Sequence, residues 1–561
     1  MYRLIHKLED STKIDYTEPV FFDIETIGLY GFPRLIQVYQ EGWDEVDIYD
    51  SYFVSYEKVW ERLKPATLIG FNLSYDFGTM KDVSKDFEDL YYLSKLAFPY
   101  LKRHSLDAVL GTLGIDMSTE DKKSMQKADW SAALKKEMLT YAAEDVMLLP
   151  KLWRTIQQYA GMFVYRLDKL TLRYMIDAQQ NGMPVSKERH HQLRAELVDK
   201  LSALEDELPI NYNSSQQVRE YLGTKKADAE VLKQMMDRSP LEDLLCHCAT
   251  TQDRIMQAKN SGSVEAAKIF YAKKFSKQLN FLQKYDKPRV YGHFNPNGAR
   301  SGRFSCSEEN IQQIPNELKK LFGFDREEEG LLVAVDFPQI ELRIAVAMWG
   351  EPTMEKLFKE GKDLHIATAS YIYGKKPEEI TKQERQVAKS ANFGLLYGMG
   401  ARKFRNYVHT NTGIDMTEAE AKTVREQWFN LYSGFRTFHQ KVQNEMRESP
   451  NGFYAGITLF GRPYVGETIS DALNIMVQGT GAELMKLSLH YLLKKHPEVK
   501  VVNVIHDAIV AEVRDYEEGR KVGSLIMEAM EEAWQECCKF FPVVKDLPCP
   551  LDADISHIYG G

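Results

Sequence analysis

The sequence predicts a multidomain chain that joins an α/β unit to α+β units. Three observations lead there. At 561 residues, 44% of them hydrophobic, the chain exceeds what one core organises and can supply several. Its first 155 residues mix short apolar strand runs with helical segments. Beyond them, two β-branched runs at 331–335 and 501–513 stand far apart, with mostly helical sequence between, and each carries an aspartate at its end or turn.

Residues 19–24 read as a strand carrying Asp23 and Glu25 at its end, where period two sets both carboxylates on one face. Two acids this close repel, so they call for a cation between them. A second strand at 67–71 leads into Asn72-Leu73-Ser74-Tyr75-Asp76, and residues 139–149 read as a helix with Tyr141 and Asp145 one turn apart. A lone Asp-x-Glu is usually a surface pair. The ordered set Asp23-x-Glu25, Asn72-x3-Asp76, Tyr141-x3-Asp145 is far sharper, and it resembles the DEDD-type 3′-5′ exonuclease domain in its tyrosine variety. The resemblance implies a ribonuclease H-like fold over 1–155. It also implies that Asp23, Glu25, Asp76 and Asp145 hold two divalent metals about 3.5 to 4 Å apart while Tyr141 orients the attacking water, giving active proofreading.

From 162 to 287 the sequence reads mainly helical, broken by the turn Asn181-Gly182-Met183-Pro184. Residues 264–289 interleave Lys268, Lys273, Lys274, Lys277, Lys284, Lys287 and Arg289 with aromatic residues. Such a stretch is more often a solvated face over a core than a phosphate-binding surface.

The run at 331–335 ends in Asp336-Phe337-Pro338-Gln339-Ile340-Glu341, so the acid is held firmly yet reaches solvent. Residues 501–513 read as two strands around the turn His506-Asp507. Asp336 and Asp507 lie 171 positions apart, so only the fold can bring them together.

Between them, Arg385, Lys389, Phe393 and Tyr397 recur every fourth residue in a proline-free stretch that stops at Gly398. On one helix they form a stripe drifting about 40° per step, two cations followed by two aromatics. That order suits a triphosphate, then a sugar and base. Taken alone, an ordinary amphipathic helix explains the stripe equally well.

Together these segments resemble motifs A, B and C of the family A DNA polymerases, the group that includes bacterial DNA polymerase I and many bacteriophage replicases. The resemblance implies a right hand with an antiparallel palm and helical fingers and thumb, divided as 156–290 connecting helices and thumb, 291–350 first palm part, 351–465 fingers and 466–561 second palm part. It implies that Asp336, the carbonyl of Phe337 and Asp507 hold two Mg²⁺, with two more in the exonuclease site and Mn²⁺ as a substitute. Arg385 and Lys389 would grip the triphosphate of a dNTP, Phe393 would meet its sugar, Tyr397 would lie near the templating pair, and Gln339 and His365 would flank the nucleotide. Glu341 would exclude a 2′-hydroxyl. The segments Ala299-Arg300-Ser301-Gly302-Arg303-Phe304-Ser305 and 474–480 are similar to further family segments, which implies that Arg303, Asn474, Gln478 and His506 face primer-template DNA. The thumb position likewise implies phosphate contacts for the lysines at 264–289. Three departures stand out: Phe337-Pro338 where Tyr-Ser is usual, Ala508 where glutamate follows His-Asp, and Glu483 where aspartate is usual.

Composition fits this reading. A net charge of −9 argues against a coat of positive charge and leaves room for a local basic groove. Six scattered cysteines without a CxxC pair read as free thiols in a reducing compartment, and no apolar run suggests a signal peptide or membrane span. The expectation is a soluble monomeric phage-type replicase in the cytoplasm of an infected bacterium, working with phage or host replication factors, without an upstream 5′-nuclease domain. A single-subunit RNA polymerase is the nearest rival, opposed by Glu341 and the proofreading domain. A catalytically dead hand serving as a scaffold is opposed by the intact acids and cations.

Overall fold

The computed structural model describes residues 2–115, 128–236 and 263–560. Four of the six cysteines, Cys306, Cys537, Cys538 and Cys549, are free thiols, while Cys246 and Cys248 lie outside the described residues.

The N-terminal unit is built on a mixed six-stranded sheet of β1 (Tyr2–Ile5), β2 (Val20–Ile27), β3 (Phe32–Tyr39), β4 (Val46–Asp50), β5 (Thr67–Gly70) and β6 (Asp86–Asp89), in the order β1-β4-β3-β2-β5-β6. β2 and β3 pair antiparallel, and helical crossovers return β5 and β6 parallel to β2. Strand β2 runs on to Ile27, past the expected end, so Asp23 and Glu25 stand within the strand. Its Val20, Phe21, Phe22 and Ile24 are buried because helices cover the sheet. Helix Lys136–Met147 packs across β2 and β3 and carries Tyr141 and Asp145 toward those acids.

The middle of the chain holds helices Phe163–Asn181, Lys187–Glu207, Ser215–Leu222, Ala229–Met235 and Val264–Lys284. Two short ladders follow, β7 (Met183–Pro184) with β8 (Arg289–Val290), and β9 (His293–Asn295) with β10 (Ser305–Ser307). The expected phosphate-facing row of lysines is largely turned to partners within the protein. Lys268 is buried against Glu207, Lys274 pairs with Glu317 at 2.6 Å, Lys287 with Glu309 at 2.9 Å, and Arg289 with Glu512 at 2.7 Å. Lys277 and Lys284 stay exposed.

The palm is the antiparallel sheet β14-β15-β11-β16, formed by β11 (Leu331–Asp336), β14 (Val501–Ile505), β15 (Ala508–Val513) and β16 (Ala553–Ser556). Helices Ile469–Lys495 and Tyr516–Phe540 pack against one another, and the second also covers β11. Leu331, Leu332, Val333 and Val335 are at most 2% exposed. At about 1.5–3 kcal/mol for each fully buried side chain of this kind, they fix β11 in place, and Asp336 emerges from its end. A hairpin of β12 (Tyr454–Ile457) and β13 (Pro463–Gly466) flanks the palm.

The region expected to form the fingers holds helices Leu364–Tyr373, Lys382–Leu396, Ala401–Thr412, Glu418–Leu431 and Ser433–Glu448. Thr381 and Glu384 start the second of these with a reciprocal capping box. Gly398, at φ +75°, turns the chain after Tyr397 at its C-terminal cap. Among the described residues, no helix is long and apolar enough to cross a membrane.

Candidate functional site

The N-terminal cleft gathers three of the four expected acids. Asp23, Glu25 and Asp145 each bring a carboxylate oxygen within 4.8 Å of the other two. Tyr141 hydrogen-bonds Asp145, and burial followed by the charge of Asp145 pushes its phenol upward, so it remains a protonated donor. Asp76 stands outside the trio. Helix Leu73–Met80, entered through Asn72 at φ +66°, carries it to 2% exposure, where it takes an amide hydrogen bond from Ile24, between the two acids of β2. Burial and then the charge of Asp89 hold its carboxyl well above the usual range. Its Oδ1 is buried without a hydrogen-bond partner among the described residues. An acid in that condition, beside three converging carboxylates, fits a site that cations complete.

Sequence reading missed Asp89. Buried and pushed up to about 7, it accepts the amides of Asn72, Leu73 and Tyr91 at 2.9 Å each and so fixes the start of the Asp76 helix. Its signal was the N-cap pattern of an aspartate before Leu90-Tyr91-Tyr92-Leu93. The cleft, about 380 Å³, is walled on its far side by Asn295, Gly298 and Ser305 from beyond the helical middle.

In the C-terminal cleft the register of β11 on β15 sets Asp336 opposite Ala508, and the Phe337 amide donates to the Asp507 carbonyl at 3.1 Å. Asp336 at the end of β11 and Asp507 in the turn between β14 and β15 therefore line one cavity. His506 takes a left-handed φ of +52°, the kind of strain that a two-residue hairpin turn accommodates. Burial pushes the Asp507 carboxyl up to about 6; Arg303 opposes the shift, and the charges of Glu341 and Asp336 add to it. Crowded acids of this kind suit a shared cation. Lys319, Asp554 and Tyr559 also line this cavity of about 370 Å³, and none was singled out from sequence.

Gln339, at φ +51°, turns the chain from β11 into helix Ile340–Trp349, whose first turn presents Glu341. Glu341 accepts from Arg303 at 2.8 Å and from the Tyr397 hydroxyl, and Arg303 also lies 3.9 Å from Asp507. Arg385 is paired with Asp363 at 2.8 Å, and Lys389 is exposed. His365 is 3% exposed, with Nδ1 3.0 Å from the Asn392 amide and its ring 5.9 Å from that of Phe393. It stands behind Phe393. An open cavity of about 920 Å³ runs over Phe393, Tyr397, Glu341 and Asn474, and Gln478 follows one turn further along the helix, half-buried. Arg402, Lys403 and Lys422 also line it; the first two are the basic pair just after Ala401 in the sequence, and Lys422 carries no such signal.

One loop joins the two clefts. Its Gly298, with Ser305 at the start of β10, faces the N-terminal cleft, and its Arg303 faces Glu341. Lys95, from helix Leu90–Ala97 of the N-terminal unit, donates to the carbonyls of Asn297, Gly298 and Ala299. Lys486 donates to the Gly302 carbonyl at 2.8 Å and pairs with Asp168, which Arg462 grips through two 3.0 Å bonds. Glu483 belongs to the same buried group, accepting from Thr458 and the Phe460 amide.

Residues 183–557 match the family described as DNA polymerase family A, and residues 2–159 match that described as 3'-5' exonuclease. The chain is similar to DNA polymerase I of Aquifex aeolicus (strain VF5), 31% identical over 592 aligned positions covering 96% of each protein. It is 34% identical over 269 positions to the thermostable DNA polymerase I of Thermus filiformis, covering 44% of this chain and 30% of that one. Its fold is similar to the POL domain of Pol1 from M. smegmatis, solved in complex with DNA primer-template and dNTP, at a TM-score of 0.71 and 18% identity, covering 96% of this chain and 95% of that one.

Proposed function

The chain belongs to the family A DNA polymerases and carries their 3′-5′ exonuclease domain, and from that premise we propose that Asp336 and Asp507 drive primer extension from dNTPs while Asp23, Glu25, Asp76 and Asp145 drive removal of the primer 3′ end. The observation that carries the reading is the 3.1 Å bond from the Phe337 amide to the Asp507 carbonyl within the paired register of β11 and β15. It holds two acids, distant in sequence, at one end of the palm.

Two Mg²⁺ at each site, or Mn²⁺, would supply a lowered pKa for the attacking hydroxyl or water and neutralise the leaving group. Asp336, Asp507 and the Phe337 carbonyl would hold them in the palm, and the four exonuclease acids in the N-terminal cleft. Arg385 exchanges Asp363 for the triphosphate, with Lys389 beside it. Phe393 meets the sugar and is backed by the buried His365, Gln339 flanks the nucleotide, and Tyr397 meets the templating pair. Glu341 closes the space that a 2′-hydroxyl would need. Arg303, Asn474, Gln478 and His506 contact primer-template. In the exonuclease cleft Tyr141, kept protonated, orients the attacking water. The domain limits at 155, 290, 350 and 465 belong to the same reading. So does the wider role, that of a monomeric replicative enzyme of bacteriophage type in the cytoplasm of an infected cell, assisted by phage or host replication factors. Residence of the gene in a phage genome tests that last part.

Primer extension with Mg²⁺, run in parallel with dNTPs and with NTPs, tests the reaction. Extension should occur with dNTPs and fall to background in folded Asp336→Asn. Robust extension by that variant, or a preference for NTPs, would sink the proposal.

A further inference from the structure

A third set of ligand groups lies at the base of the helical middle, far in sequence from both sets of acids. His190 and His191, in the first turns of helix Lys187–Glu207, meet Asp286, just past the end of helix Val264–Lys284, and one ligand atom of each lies within 4.8 Å of the other two. His190 is 3% exposed. Its Nε2 lies 3.0 Å from the Leu282 carbonyl, which can only accept, so the ring proton is assigned to Nε2. That leaves Nδ1 as a bare acceptor. It is buried, has no hydrogen-bond partner among the described residues, and stands 3.9 Å from Asp286 Oδ1.

A buried imidazole that gives one N–H to a backbone carbonyl and aims its other nitrogen at a second imidazole and a carboxylate has the arrangement of a metal-ligating histidine with its outer partner in place. We propose that His190 Nδ1, His191 and Asp286 bind one divalent transition metal of the Zn²⁺, Co²⁺ or Ni²⁺ class, with the remaining position open to water. Two imidazole nitrogens and one carboxylate oxygen suit those ions, whereas Mg²⁺ favours all-oxygen ligands. Ligands about 2.0–2.2 Å from a tetrahedral ion sit roughly 3.4 Å apart, so the site closes by a small inward shift. His191 and Asp286 are both exposed and free to make it, while His190 stays fixed. The bound ion would clasp the start of one helix to the end of another, joining positions 95 residues apart.

The exposed ligands make the test clean, because His191→Ala and Asp286→Asn leave the core untouched. Co²⁺ is titrated into the full chain with Mg²⁺ in excess, and visible absorption is followed alongside the melting temperature with and without Zn²⁺. The expected result is one Co²⁺ with nitrogen-ligand absorption, weakened at least tenfold in each variant, and a Zn²⁺-dependent rise in melting temperature confined to the unaltered chain. A chain with Asp23→Ala, Glu25→Ala and Asp336→Asn should keep that absorption. Equal binding by His191→Ala, or loss of the absorption in the triple variant alone, would overturn the proposal, as would a chain that takes up no Co²⁺ beyond its carboxylate sites.

Discussion

Replacing Glu341 by alanine separates space from charge at the centre of the polymerase cleft. The carboxylate has two partners, Arg303 at 2.8 Å and the Tyr397 hydroxyl, and its side chain is 20% exposed. Hydrogen bonds to charged groups contribute about 1.5–3 kcal/mol each, and partial exposure pulls these toward the lower end. Removing the side chain leaves the Tyr397 hydroxyl without its acceptor and frees Arg303 toward Asp507, so a stability loss of about 1–3 kcal/mol is expected. The functional change is larger in kind. On the proposed placement of Glu341 beside the sugar, a wall becomes a gap, and a difference of about one small group in a pocket changes discrimination by roughly 10- to 200-fold. Single-nucleotide extension should therefore show the ratio of kcat/KM for dNTP over the matching rNTP falling by that order. Glu341→Gln keeps the volume and an acceptor for Tyr397, so it should keep the discrimination while losing the charge pairing with Arg303. An unchanged ratio in a folded Glu341→Ala enzyme that still extends with dNTPs would refute the assignment of the gate. Equal loss in Glu341→Ala and Glu341→Gln would show that charge rather than bulk sets the selectivity.

Three further outcomes follow from the same geometry. If Phe393 meets the sugar as proposed, Phe393→Tyr adds a hydroxyl there, so acceptance of dideoxynucleotides should rise roughly tenfold or more, the scale of one added hydrogen bond; unaltered chain-terminator sensitivity would count against the position. Asp23→Ala with Glu25→Ala removes two of the three converging carboxylates, and degradation of a labelled 3′ end should cease while primer extension continues; digestion that persists would move the exonuclease site elsewhere. Lys95→Met removes the amine that donates to three carbonyls of the loop that carries Arg303. The KM for primer-template should then rise several-fold with kcat little changed, and Lys95→Arg should restore it; an unmoved KM in the folded methionine variant would disconnect this loop from DNA binding.

What the sequence made legible was local. Apolar β-branched runs announced β11, β14 and β15, the polar pair His506-Asp507 announced the turn between the last two, and four-residue spacing announced the helix Lys382–Leu396. What it hid depended on partners far along the chain. The lysines of 264–289 read as a basic face because the acids that neutralise them, Glu207, Glu309 and Glu317, lie tens of residues away or on other elements. Asp76 read as one of four equivalent ligands, yet its helix is entered through the left-handed Asn72 and carries it deeper than the other three. No periodicity encodes that depth. The separation of His365 from the open cavity was hidden for the same reason, since Asn392 and Phe393 come between only once two helices have packed.

The loop between β9 and β10 shows why the two clefts cannot be read as independent modules on one string. Its ties come from different parts of the chain: Lys95 of the exonuclease unit donates to its carbonyls, Asp168 of the helical middle accepts from its Asn297 at 2.8 Å, and Lys486 of the palm side donates to its Gly302, while Arg462 grips Asp168 from behind. Asp168, Lys486 and Glu483 are fully buried, and breaking one member of such a group leaves an uncompensated charge, a loss of about 3–5 kcal/mol. A loop this firmly held has little freedom to adjust one of its faces alone. Moving Gly298 or Ser305 at the exonuclease wall displaces the backbone that leads to Arg303, and Arg303 is the cation that opposes the upward shift of Asp507. A substitution on either side of the loop therefore reaches both reactions, and variants in this buried group should change extension and digestion together rather than one at a time.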